Sequence, residues 1–70
     1  MMPLTMVKAG EASVIKKIGG KKEIKKFLEK LGFAPGGTVT VLLENGGNMI
    51  VNVKNSKVAI GKDMANRILV

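Results

Sequence analysis

The apolar positions along this chain change period twice. Residues 11–18 alternate, with Ala12, Val14 and Ile18 on one strand face and Ile15 on the other. Gly19-Gly20 closes that strand and opens residues 21–31, where Ile24, Phe27, Leu28 and Leu31 stand at i, i+3, i+4 and i+7, one stripe of an amphipathic helix. Gly32 then supplies the left-handed residue that ends a helix, and Phe33 folds back on Leu28, placing both phenylalanines of the chain in the core. Beyond Ala34-Pro35-Gly36-Gly37, which carries Pro then Gly in the order of a type II turn, the period returns to two. Residues 38–44 form a strand with Val39, Val41 and Leu43 pointing one way; Asn45-Gly46-Gly47-Asn48 is a hairpin signal; residues 49–54 return with Met49, Val51 and Val53 inward. Asn55-Ser56 makes a turn, residues 57–60 a short strand, 61–66 one helical turn and 67–70 a last strand.

Five short strands with one main helix predict a mainly β domain spanning residues 1–70, with no internal repeat or linker. A small antiparallel barrel fits best, because closure removes sheet edges in a chain too short to cover them otherwise. At this length about 60% of the unfolded chain's surface is hidden on folding, so stability is modest.

Composition removes most chemistry. The chain has no cysteine, histidine, tryptophan or tyrosine, so disulfides, thiolate nucleophiles, imidazole bases and the usual zinc ligands are absent. The five carboxylates, Glu11, Glu23, Glu29, Glu44 and Asp63, show no ligand-like spacing, and no cofactor, metal or catalytic residue is assigned. Gly19-Gly20-Lys21-Lys22 lacks the length and the Ser or Thr of a Walker loop and reads as a glycine turn. Met49 and Met64 fill gaps in the core, while Met1, Met2 and Met6 belong to the tail. No stretch approaches a secretory leader or the roughly 20 apolar residues of a membrane span, and the cytoplasm is the expected compartment.

Charge adds what the apolar pattern leaves out. Twelve Lys and Arg against five Asp and Glu give a net charge of +7, and Lys16, Lys17, Lys21, Lys22, Lys25, Lys26 and Lys30 cluster in the first strand and the helix. A solvated helix face accounts for some of this, but Lys21 and Lys22 oppose the helix dipole by roughly 0.3–1 kcal/mol each. Like charges also recur at i, i+4 in Lys21/Lys25, Lys22/Lys26 and Lys26/Lys30, a loss that Lys26/Glu29 and Lys25/Glu29 recover only in part. The cluster is the footprint of an acidic partner: nucleic acid, an anionic membrane surface or an acidic protein. Two phenylalanines and the single Arg67 are a poor endowment for stacking on bases or reading a groove, so no specific nucleic acid is expected.

Several segments in order resemble the ferrous iron transport protein A family, FeoA: Leu4 with Val7-Lys8-Ala9-Gly10-Glu11-Ala12, Leu31-Gly32-Phe33-Ala34-Pro35-Gly36, Ile50-Val51-Asn52-Val53, and Val58-Ala59-Ile60 followed by Ala65 and Ile68-Leu69-Val70. The resemblance implies an SH3-like barrel, similar to the C-terminal domain of iron-dependent repressors of the diphtheria toxin repressor type. It implies a small cytosolic accessory to FeoB, the GTP-binding membrane protein that moves ferrous iron into bacteria, without iron binding or catalysis of its own. Asn55 stands where many members carry a turn glycine, and Asn48-Met49 lacks a proline often found after the hairpin glycines. Under this reading Lys21, Lys22, Lys25, Lys26 and Lys30 face an acidic surface of the transporter or the anionic inner leaflet beside it. The alternative is a basic SH3-like barrel that binds nucleic acid or acts as an interaction domain of the transcription-regulator type.

Overall fold

The computed structural model describes residues 1–70. Six strands and two helices follow a 3-10 turn at Leu4–Met6: β1 (Ala12–Val14), β2 (Lys17–Ile18), α1 (Lys22–Leu31), β3 (Thr38–Asn45), β4 (Asn48–Val53), β5 (Ser56–Gly61), α2 (Lys62–Ala65) and β6 (Ile68–Leu69). The strands form an antiparallel sheet in the order β1-β3-β4-β5 and a two-stranded β2-β6 ribbon. The expected closed barrel is therefore corrected to two sheets enclosing one core, without a continuous ladder between them.

The chain crosses between the sheets where a single first strand was expected. Ile15 still exchanges hydrogen bonds with the β3 side, donating to Gly37 O at 2.8 Å and accepting from Gly36 N–H at 2.8 Å, whereas Lys16 N–H turns to Leu69 O at 2.8 Å. This change of partner breaks the period-two pattern. Ile15 and Ile18 are buried together, and Ala12 and Val14, expected with Ile18, face solvent.

Helix α1 ends as the sequence predicts. Gly32 has φ 108°, its N–H donates to Glu29 O and the Phe33 N–H donates to Leu28 O, each at 2.9 Å, the paired bonds of a Schellman ending. Leu28 and Phe33 are fully buried, with Ile24 and Leu31 packed against the core. Phe27 departs from expectation: it lies on the border of the apolar stripe and is 48% exposed.

The type II turn is present, with Gly36 at φ 90° and Gly37 N–H donating to Ala34 O at 2.9 Å. In β3 the inward alternation holds for Val39 and Val41 but not for Leu43, because a bulge shifts the register between Val41, opposite Val51, and Leu43, opposite Ile50. One inserted residue reverses which face the next side chain takes. Met49, Val51 and Val53 are buried as expected, and Met64 packs against the core. The N-terminal methionines are not all tail: Met2 and Val70 exchange two backbone hydrogen bonds, at 2.9 and 2.8 Å, tying both ends of the chain to the small ribbon.

Between β4 and β5 the turn residues Lys54 and Asn55 have φ 50° and 63°, the left-handed pair of a type I′ turn. Asn tolerates this conformation, but Lys at such a φ costs roughly 1–2 kcal/mol. The Lys54 methylenes lie over Gly32, 3.5 and 3.6 Å from where a Cβ on that glycine would stand. Dispersion contacts of that kind return only about 0.1–0.2 kcal/mol each. Lys54→Asn is therefore expected to raise stability by about 0.5–1 kcal/mol, read from the urea midpoint at unchanged slope. A lowered midpoint would show that the methylene packing outweighs the backbone strain.

Candidate interaction surface

The five lysines singled out in the sequence fall on one element. Lys21 is the N-cap of α1, with extended backbone and no side-chain cap, and Lys22, Lys25, Lys26 and Lys30 follow within the helix. All five are exposed. Neither Glu23 nor Glu29 forms an ion pair with any of them; the one salt bridge of the chain joins Lys62 Nζ to Glu44 Oε2 at 2.8 Å, away from α1. The helix thus presents its lysines unpaired, five of them against Glu23 and Glu29, and the exposed Phe27 stands one turn before Lys30.

Tertiary structure adds a residue that the sequence pattern left apart. Arg67, beside β6, lays its guanidinium over Gly20, at the entry to α1: a Cβ on Gly20 would stand 2.9 Å from Arg67 Nη1 and 3.6 Å from an Ile24 methyl. Gly20 has φ 104°, so glycine here serves both backbone and space. Lys17, exposed and opposite Leu69, continues the basic surface onto the ribbon. The Gly19-Gly20 turn hints at a close approach, but only the pairing of β2 with β6 identifies Arg67 as the neighbour.

No three Asp or Glu side chains gather into a metal-holding cluster. A cleft of about 300 Å³ opens on the far face of the larger sheet, lined by Thr38, Thr40, Asn52, Lys54 and Asn55. Lys54 is its one charged group, and it contains no carboxylate. No helix is long and apolar enough to cross a membrane.

The FeoA domain family profile matches residues 2–70. The chain belongs to the FeoA domain family. A curated relative in Methanocaldococcus jannaschii, named "Putative Fe(2+) transport protein A", is 33% identical over all of this chain and 85% of its own length. A crystal structure described as iron uptake regulatory protein (FeoA) superposes with a TM-score of 0.87 at 33% identity, covering 96% of this chain and 89% of that one. Iron(II) transport protein A from Clostridium thermocellum shares the fold at a TM-score of 0.89 and 23% identity, over 96% of this chain and 43% of that one. A manganese-dependent transcriptional repressor shares it at a TM-score of 0.86 and 17% identity, over 94% of this chain and 38% of the repressor. The mainly β, one-helix architecture read from the sequence is thus the FeoA fold, SH3-like in arrangement although its two sheets do not close. The FeoA-domain likeness spans the lysine-rich helix together with the sheets that hold it.

Proposed function

We propose that this FeoA-domain chain is a cytoplasmic accessory of ferrous iron uptake that docks on the cytoplasmic GTP-binding part of an FeoB-type membrane transporter and modulates it, neither binding iron itself nor catalysing a reaction. The observation that carries the reading is the exposed, unpaired lysines of α1 on a domain of the iron-transport family. A charged face of this kind steers encounter and fixes orientation more than it supplies raw affinity. Lys21, Lys22, Lys25, Lys26 and Lys30 are the contact residues, and the Schellman ending anchors the helix that presents them.

The test is calorimetric titration of the chain into the isolated GTP-binding domain of an FeoB-type transporter, at low and at high salt. Binding is expected to weaken as salt rises. The triple variant Lys22→Glu, Lys25→Glu, Lys26→Glu should lose about tenfold or more in affinity at low salt, at roughly 0.2–1 kcal/mol per exposed charge pair. All three positions are solvent-facing, so its melting curve should stay close to that of the parent. Unchanged affinity at low salt would remove the lysine face from the docking surface. Tight, steeply salt-dependent binding to duplex DNA, with none to the transporter domain, would replace this reading by the nucleic-acid one.

A further inference from the structure

The open edge of the larger sheet carries an inference independent of the lysine-rich helix. β5 pairs only with β4 and forms one border of the sheet. Because Val53 and Ser56 close a two-residue turn, Lys57 and Ala59 direct their N–H and C=O groups away from β4. No turn or loop backbone bond reaches either residue. Beside this edge the outer face holds an apolar row: Leu43 lies opposite Ile50, and Ile50 opposite Ala59. The bulge in β3 creates that row by turning Leu43 outward, and Leu42 and Leu43 are 37% and 45% exposed.

Charge specifies the occupant. The only carboxylate in β3, β4 and β5 is Glu44, which stands opposite the core residue Met49 and is held by Lys62. Lys57 on the edge and Lys54 in the adjoining turn are thus uncompensated. Pairing of two β5 strands would bring copies that each carry +7 together along an edge bearing Lys57, which disfavours self-association. We propose that β5 accepts an added strand from a different protein, an extended segment placing a carboxylate beside Lys57 and a large apolar side chain beside Ala59. Alternate residues of an added strand share one face, so the two determinants sit two positions apart. Ala59 is small, which leaves room for that apolar side chain to lie across Ile50 toward Leu43.

The probe is the capped heptapeptide acetyl-Thr-Glu-Thr-Leu-Thr-Glu-Thr-amide, whose symmetry presents the same pattern in either strand direction, titrated into the full chain and followed by amide NMR. Shifts and slowed hydrogen exchange are expected at Lys57 and Ala59, with shifts at Leu43 and Ile50. The same peptide with lysine in place of glutamate should not bind, and Lys57→Glu should reverse that preference. Ala59→Pro removes an outward N–H that the β4 ladder does not use, and should weaken binding about tenfold, the equivalent of one lost hydrogen bond. Should that variant fail to fold, Lys57→Glu decides. No perturbation of β5 at millimolar peptide, or perturbation confined to α1, would overturn the proposal.

Discussion

Phe33→Ala is expected to abolish most of the domain's stability. The side chain is fully buried, the largest of those wholly inside, and it occupies the position just after the Schellman glycine, where it joins helix end, sheet and ribbon in one core. Removing a buried phenylalanine costs about 3–5 kcal/mol, combining lost transfer energy with the cavity left behind. A chain of this size has total stability on the order of 4–10 kcal/mol, so the variant should be partly unfolded at room temperature. The measurement is a urea or thermal melt followed by circular dichroism. At about 4–8 °C per kcal/mol, the midpoint should fall by tens of degrees or the cooperative transition should disappear. A midpoint within a few degrees of the parent would show that the core closes around the loss and that Phe33 is not the anchor.

Gly32→Ala is the second large effect, and its cause is backbone rather than volume. A Cβ at this position would meet only Lys54 and Val53 side-chain carbons, at 3.5 to 3.6 Å, which is ordinary contact. The obstacle is φ 108°, a conformation that an L side chain adopts at a cost of about 1–3 kcal/mol. Relief by rotating the residue would break the bonds from Gly32 to Glu29 O and from Phe33 to Leu28 O, and would swing Phe33 out of register with its core site. Stability should therefore drop by about 1–3 kcal/mol, with hydrogen exchange accelerating first in the last turn of α1. If exchange instead quickens uniformly, with no local signature, the cap is not what the glycine supplies. Because that turn presents Lys30, the same variant should loosen the lysine face without removing a charge.

Much of the fold was legible because its signals are local. The helix with its glycine cap, the Pro-Gly turn, the Asn45–Asn48 hairpin and the inward rows Val39/Val41 and Met49/Val51/Val53 each depend on residues within a few positions of one another. The failures share a different origin. Val14 was misplaced because the chain changes partner from β3 to β6 at Ile15 and Lys16, and Leu43 because an extra residue enters the ladder; neither event leaves a mark in the alternation before it occurs. Phe27 sits at the edge of its stripe, where helical spacing cannot tell a covered border from an open one. For the candidate surface, the run of lysines identified the five α1 positions, while Arg67 is forty-one residues from Lys26 in sequence and joins the surface only through the pairing of β2 with β6.

By itself the amino-acid sequence determined the lack of cysteine, histidine, tryptophan and tyrosine, the net charge of +7, the lysine-rich amphipathic helix and its stop, and a mainly β remainder, because composition and short-range periodicity are properties of neighbouring residues. The tertiary structure alone decided that the strands form two unclosed sheets, that Leu43 turns outward beside a free β5 edge, that Arg67 covers Gly20, and that the α1 lysines form no ion pair. These depend on which distant segments meet. Such meetings are set by the summed burial of the core and by backbone hydrogen bonding across the whole chain, rather than by any local pattern.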